Sequence, residues 1–158
     1  MVLPLQPVRD PQGTVGRSKY ARTVTSPSPA LEALILLTRV NAEATAALDK
    51  ALSRVGLWLN DLSLLGLLRD AGAEGLSRAD LATALSQSQS QTLRRVKPME
   101  KLDWIARTEA GNFRLSSHGR ALELEASGLA ANRSEAWLDG VLDADEISQL
   151  TVLLRKIG

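Results

Sequence analysis

The sequence contains no cysteine and a single histidine, His118. Disulfide bonds, thiolate metal sites and thiol redox chemistry are therefore excluded, and a zinc site built from imidazole ligands is not expected. The sequence also offers no recognisable carboxylate pair, nucleophile–base pair or phosphate-binding loop. We therefore expect no enzyme activity, no metal and no cofactor, and we expect His118 to be a surface residue.

Aromatic residues and long apolar runs are scarce as well. Aromatic residues make up 3% of the 158 residues, whereas hydrophobic residues make up 44% and are mostly leucine and alanine. Because leucine and alanine are strong helix formers, this composition favours helices over sheets. No apolar run approaches the roughly 18–20 residues of a membrane span, and we expect no signal peptide. The sequence therefore predicts one cytoplasmic domain without a membrane partner.

The net charge of +1 conceals a segregation of charge along the chain. Residues 77–115 contain seven basic and four acidic residues, whereas residues 116–158 contain four basic and seven acidic residues. Residues 1–29 are also basic, and they contain five of the six prolines. We expect these first residues to form an extended or disordered arm. The distribution favours a polyanionic partner for one face of the protein, with chance variation along the chain as the alternative.

Helical periodicity predicts a long helix over residues 30–55 and an apolar core helix over residues 60–71. A helix of about 25 residues spans nearly 40 Å. A single copy of so small a domain cannot cover a helix of that length. We therefore expect the long helix to pack against a second subunit.

Residues 76–107, LSRADLATALSQSQSQTLRRVKPMEKLDWIAR, carry the most informative pattern. Ser77 and Asp80 have the spacing of a capping box at the start of one short helix, and Ser88 and Gln91 repeat it at the start of a second. Two helices joined by so tight a turn are typical of a helix-turn-helix, in which the second helix enters the DNA major groove.

A short hairpin and two more helices complete the predicted fold. The strands cover residues 105–108 and 113–115, and Ser116 is placed to cap the helix that follows. We expect the polar stretch 132–139 to bend or interrupt that helix, and Asp143 to cap the last one. The predicted fold is mainly α with a small β-hairpin wing. The predicted regions are an arm (1–29), a helical dimerisation region (30–55 and 116–158) and a winged helix-turn-helix DNA-binding region (56–115).

Four segments resemble the multiple-antibiotic-resistance regulator (MarR) family of winged-helix transcription factors. They are GLWLNDLSLLGLLRDAG (56–72), the helix-turn-helix segment just quoted, RLSSHGRALELEA (114–126) and LDADEISQLTVLLRKI (142–157). The likeness covers residues 30–158. It implies a homodimer, held by the first and last helices, that reads palindromic double-stranded DNA as a transcriptional regulator. It also implies that a small ligand often releases the DNA.

The second helix of the helix-turn-helix supplies most of the predicted DNA contacts. Thr92, Val96 and Met99 share one face, which we expect to pack against the core. The other faces carry glutamine and arginine, which can read base edges, and serine, arginine and lysine, which can hold phosphates. The predicted contacts are Arg78, Ser88, Gln89, Ser90, Gln91, Arg94, Arg95, Lys97 and, in the wing, Arg107, Asn112 and Arg114. A solvated polar helix face is the alternative interpretation of this serine- and glutamine-rich run.

The three tryptophans have different predicted roles. Trp58 lies at the junction between the long helix and the DNA-binding region. Ligands bind at this junction in the MarR family, so the resemblance makes Trp58 a candidate contact for a small aromatic ligand. Trp104 is expected to seal the wing against the core, and Trp137 is expected to be a core or interface anchor.

Several residues depart from the usual pattern of the family. Ser86 replaces the usual glycine of the turn, and Gln87 and Arg95 replace apolar residues. Pro98 lies inside the second helix, where its ring costs about 3 kcal/mol if the helix stays straight, so we expect a kink or stop near Lys97. Together with the short wing, these departures motivate an alternative hypothesis: a degenerate winged helix that binds a protein and has lost DNA binding.

Overall fold

The computed structural model describes residues 28–157, so all but the end of the predicted arm lies outside the described residues. The helices and the hairpin follow one another in the predicted order, which confirms the predicted fold class. The elements are α1 (Pro29–Leu52), a 3₁₀ turn (Ser53–Val55), α2 (Leu59–Asp70), α3 (Arg78–Ala84), α4 (Gln89–Lys101), β1 (Ile105–Arg107), β2 (Phe113–Leu115), α5 (Ser117–Leu138) and α6 (Ala144–Ile157).

Helix α2 lies at the centre of the hydrophobic core, as its apolar sequence predicts. Leu64, Leu65 and Leu68 are fully buried. They belong to one cluster with Leu52 at the end of α1 and Phe113 in β2. The core therefore joins the long first helix to the hairpin through α2.

The turn between α3 and α4 is built from local hydrogen bonds. The Ser77 hydroxyl accepts from the Asp80 N–H at 3.1 Å, and the Ser88 hydroxyl accepts from the Gln91 N–H at 3.3 Å. The Gln91 side chain in turn accepts from the Ser88 N–H at 2.9 Å, which completes the predicted capping box of α4. Ser86 has a φ of 52°, the left-handed conformation for which glycine is the usual choice.

The predicted stop near Lys97 is wrong, because α4 continues through Pro98 to Lys101. Pro98 is exposed, whereas Val96 and Met99 on the other side of the helix are buried. The carbonyl that loses its N–H partner to the proline is that of Arg94, an exposed residue. Core packing of the buried side holds the last turn in place and offsets the cost of the proline.

The predicted hairpin is confirmed and gains a third short segment. β1 and β2 are antiparallel, with Ile105 opposite Leu115. Leu76 forms an additional bridge to Phe113, with two backbone hydrogen bonds of 2.8 Å. Gly75 has a φ of 64°, and a Cβ at this position would collide with the Phe113 carbonyl, so only glycine fits. The hairpin is thereby attached to the residues that precede α3.

Helix α5 begins at its predicted cap, Ser116, whose hydroxyl accepts an N–H from the first turn at 2.9 Å. The predicted interruption within residues 132–139 is wrong, because the helix runs on to Leu138. The polar residues in this stretch are adequate helix formers. The hydroxyl of Ser134 donates to the Ala130 carbonyl at 2.8 Å, so its hydrogen-bonding group is satisfied within the helix.

Two apolar faces remain exposed at the ends of the described chain. The second half of α1 packs along α5, but its first half exposes Leu31, Leu34, Ile35, Leu36, Leu37 and Val40 by 38–58%. Helix α6 has no buried residue and exposes Leu150, Val152, Leu153, Leu154 and Ile157 by 42–72%. Within residues 28–157, no helix alone is long and apolar enough to cross a membrane; α1 and α2 meet the criterion only as a pair bent by 73°.

Candidate nucleic-acid interface

The side of α4 that faces away from the core carries a row of cations. Thr92, Val96 and Met99 are buried, which confirms the predicted core face. At 100° per residue, the opposite side carries Ser90 and three basic residues. All are exposed, and within residues 28–157 none of the three cations has an ion-pair partner. We call these cations, Arg94, Lys97 and Lys101, the basic stripe.

The acidic residue closest to the basic stripe in sequence is already paired. Glu100 is the sole acidic residue of α4, and its carboxylate accepts from Nε of Arg107 at 2.6 Å. It lines the same shallow concave surface as Pro98 and the basic stripe. Because Arg107 compensates the charge of Glu100, this surface presents net positive charge to an approaching anion.

Lys101 was not among the predicted contacts, because the helix was expected to kink or stop near Lys97. Lys101 lies seven residues after Arg94, which is about two helical turns. This spacing places both side chains on one face as soon as the helix continues past Pro98. The spacing of Arg94 and Lys101 was therefore present in the sequence, but the expected effect of the proline left Lys101 outside the predicted helix.

The first residues of α4 combine exposure with a local structural role. Ser88, Gln89, Ser90 and Gln91 are all exposed, as predicted. The Gln91 Oε1 atom, however, accepts from both the N–H and the hydroxyl of Ser88, at 2.9 and 2.8 Å. This oxygen is used to start the helix, which leaves the amide nitrogen of Gln91 as its group for a base edge.

Arg95 does not extend into solvent beside Arg94. Its Nη2 atom lies 3.2 Å from Oδ1 of Asp61 in the first turn of α2, and the two side chains are 24% and 16% exposed. Asp61 is 34 positions away in the chain, so no pattern within α4 indicates this pair. The role of Arg95 as a phosphate contact stays a prediction, and a phosphate would have to compete with this carboxylate.

Two of the predicted wing contacts hold the wing together. The guanidinium of Arg107 donates to the Gly111 carbonyl at 3.0 Å and lies 3.9 Å from the centre of the Phe113 ring. The side-chain amide of Asn112 donates to the Glu74 carbonyl at 3.1 Å, which ties the hairpin turn to the α2–α3 connection. Both residues therefore have structural roles besides the predicted one.

Arg78 and Arg114 are the remaining predicted contacts. Arg78 is the first residue of α3 and is exposed, and Arg114 in β2 is half-buried. Within the described part of the chain, neither forms an ion pair. Both are therefore available for phosphate contacts.

The tryptophans differ in their surroundings. Trp58, at the start of α2, is 62% exposed. Trp104 packs against the core beside the hairpin, as predicted. Trp137, together with Leu48 and Arg133, lines an apolar cavity of about 150 Å³ between α1 and α5. An aromatic ring and a cation therefore both line this cavity, whereas Trp58 is largely exposed.

A buried carboxylate connects α2 to α5, and nothing in the sequence pattern predicted it. Glu123 is 3% exposed, and its Oε1 accepts from Arg69 at 2.6 Å and from Ser127 at 2.8 Å. The hydrogen bond from Arg69 to Asp70, with the charges of Glu123 and Asp70, raises the pKa of Arg69 above its ordinary value. A permanently charged partner is what a buried carboxylate requires. Within residues 28–157, no cluster of His, Asp and Glu could hold a metal ion.

Comparisons with known proteins find relatives by structure alone. No protein-family model matches the chain, and no curated protein matches it. A transcriptional regulator (MarR family) from Rhodococcus sp. RHA1 is 24% identical, with a TM-score of 0.75 over 84% of this chain and 96% of that one. A MarR family protein from Mycobacterium tuberculosis, in complex with DNA, is 27% identical, with a TM-score of 0.67 over 78% and 95%.

A third solved structure is CouR from Rhodococcus jostii RHA1, bound to p-coumaroyl-CoA. It is 26% identical, with a TM-score of 0.69 over 77% of this chain and 88% of CouR. In all three cases the alignment spans most of both chains, so the likeness includes the outer helices as well as the helix-turn-helix. By its fold, the chain is therefore a winged-helix protein that is similar to transcriptional regulators of the MarR family.

Proposed function

We propose that the protein is a sequence-specific DNA-binding transcriptional regulator that acts as a homodimer. The observation that carries this proposal is the basic stripe on the outward face of α4, the helix that enters the major groove in helix-turn-helix proteins. The structural neighbours are regulators rather than enzymes, and one of them was solved with DNA. The alternative, a degenerate protein-binding module, relied partly on Pro98 ending this helix, and α4 does not end there.

The residues of the stripe have different proposed roles. Arg94 lies in the first half of α4, and its guanidinium can pair with the O6 and N7 atoms of guanine. Lys97 and Lys101 lie further along the helix and are suited to phosphates, which position the protein without reading sequence. The remaining predicted DNA contacts stay part of this proposal, and so does the cytoplasmic location.

The exposed apolar faces of α1 and α6 support the homodimer. Helix α1 has 24 residues, which corresponds to about 36 Å. Contiguous apolar patches of this kind usually mark an interaction surface. We propose that the first half of α1 and helix α6 form the dimer interface. The division into dimerisation and DNA-binding regions at residues 55–56 and 115–116 remains a prediction.

A small aromatic ligand is the third part of the proposal. CouR was solved with p-coumaroyl-CoA, and the Mycobacterium tuberculosis protein was also solved with salicylic acid. In this chain, Trp137 and Arg133 line the cavity between α1 and α5 and are suited to a small aromatic acid. Trp58 remains the second candidate contact.

Fluorescence anisotropy on DNA from the region around the protein's own gene tests the proposal. We expect at least one duplex to bind more tightly than a shuffled duplex of the same composition, and the affinity to fall steeply with salt. Arg94→Ala should reduce this preference, whereas Arg54→Ala, which removes an exposed cation from the 3₁₀ turn, should not. Equal binding to all duplexes at low salt would contradict sequence-specific recognition.

A further inference from the structure

The carboxylate of Asp61 connects the start of α2 to α4. Its Oδ2 accepts from the Trp58 N–H at 3.1 Å, and its Oδ1 lies 3.2 Å from Nη2 of Arg95. Among the five ion pairs found within residues 28–157, this is the one in which both side chains are less than a quarter exposed. Shielding from solvent strengthens the attraction between the two charges.

The start of α2 is itself anchored to α1. The Leu59 N–H donates to Oδ1 of Asp49 at 2.7 Å, and the neighbouring Leu52 and Leu57 are buried. The first turn of α2, which carries Asp61, is therefore held in place against α1. Helix α4, by contrast, packs mainly against α3 and β1, which belong to the helix-turn-helix and the hairpin.

Because of the position of Arg95 on α4, the ion pair affects the rotation of the helix about its own axis. Arg95 is 100° around the helix from Arg94, at the edge between the buried side and the basic stripe. An ion pair at this edge restricts rotation of α4 about its own axis. The direction in which Arg94 points is therefore coupled to the contact between Arg95 and Asp61.

We propose that Asp61 is a positioning residue for DNA recognition. By holding Arg95 against α2, it sets the angle at which the basic stripe meets the base edges, and it competes with the phosphates for Arg95. This inference rests on the proposed function, and it assigns a role to an acidic residue outside the predicted DNA contacts.

Positioning and simple electrostatics predict opposite results when Asp61 is neutralised. By electrostatics alone, loss of a negative charge and release of Arg95 strengthen binding to every duplex, because one more phosphate can be neutralised. Base contacts depend on the orientation of α4, whereas phosphate contacts carry no sequence information. If Asp61 positions α4, its loss therefore weakens specific binding relative to non-specific binding.

The test uses Asp61→Asn in the full-length protein, because the new amide oxygen can still accept from the Trp58 N–H. Anisotropy compares the tightest-binding duplex from the region around the protein's own gene with a shuffled duplex. We expect the ratio of specific to non-specific affinity to fall about tenfold, the cost of roughly one mismatched base pair. The salt slope on the shuffled duplex should steepen by about one unit, the contribution of one additional phosphate contact.

Two further variants separate positioning from loss of charge. Asp61→Glu keeps the charge that pairs with Arg95 and should recover most of the lost ratio. Glu109→Gln removes the same charge from an exposed residue of the hairpin turn, and it should leave the ratio at the wild-type value.

Two results would overturn the inference. The first is a wild-type affinity ratio in Asp61→Asn, which includes an equal fall of both affinities, and it leaves the proposed function intact. The second is a wild-type protein that does not discriminate between duplexes, which overturns the proposed function and the positioning role with it. The two failures are therefore distinguishable.

Discussion

Truncating one leucine on each exposed apolar face tests the proposed dimer interface. Leu34 on α1 and Leu153 on α6 are each 58% exposed in the single chain. Full burial of a leucine is worth about 1.5–3 kcal/mol. With 58% of the side chain still to be covered, and with the Cβ retained by alanine, each truncation removes about 0.5–1 kcal/mol per copy. A symmetric dimer contains two copies, so Leu153→Ala should weaken it by about 1–2 kcal/mol, or about 5–30-fold in Kd.

Sedimentation velocity over a concentration series measures this change. Leu34→Ala should give a similar shift, and the double variant a larger one. The matched control is Leu124→Ala, which removes a leucine that is 73% exposed on α5, outside both faces. Unchanged dimerisation in the Leu34 and Leu153 variants, or a wild-type protein that is monomeric throughout, would refute the reasoning.

Three further predictions concern the packing around α2 and the α1–α5 cavity. Gly75→Ala should cost about 3 kcal/mol of unfolding free energy, since it adds a clash with the hairpin backbone to the strain of its positive φ. Gly72→Ala, with the same φ sign and open space, should cost about 1 kcal/mol; equal costs in urea denaturation would contradict the clash. Arg69→Ala leaves a buried carboxylate without its charged partner and should cost about 2 kcal/mol of unfolding free energy, less than for a fully buried pair because the arginine is half-exposed. Glu123→Gln should cost less than Arg69→Ala, and the reverse order in urea denaturation would contradict this argument. Salicylate should quench the tryptophan fluorescence of the protein, and quenching of undiminished amplitude in Trp137→Phe would contradict binding beside Trp137.

The predictable parts of the fold were those governed by neighbours in sequence. The capping box of Ser88 and Gln91 depends on residues three positions apart, and the cap that joins Asp143 to the Glu146 N–H at 2.8 Å has the same spacing. The buried face of α4 followed from helical periodicity. Such signals sufficed to predict the order of elements and the outward direction of Arg94.

The parts that could not be predicted depend on contacts between distant residues. The Arg95–Asp61 pair joins residues 34 positions apart, and the Arg69–Glu123 pair joins residues 54 positions apart. No local sequence pattern indicates either pair. The effect of Pro98 was also misjudged from sequence, because its cost is local whereas the packing that offsets it is tertiary. Because the helix was expected to kink or stop near Lys97, Lys101 was not among the candidate contacts.

In the proposed complex the basic stripe of α4 faces DNA, with Arg94 at the bases and Lys101 at the phosphates. A salt titration of Arg94→Ala and Lys101→Ala against specific and shuffled duplexes tests it most directly. We predict that Arg94→Ala loses about 1–3 kcal/mol on the specific duplex and relaxes specificity. Lys101→Ala should weaken binding to both duplexes alike and make the salt slope shallower by about one unit. Variants that bind both duplexes as the wild type does would contradict the claim.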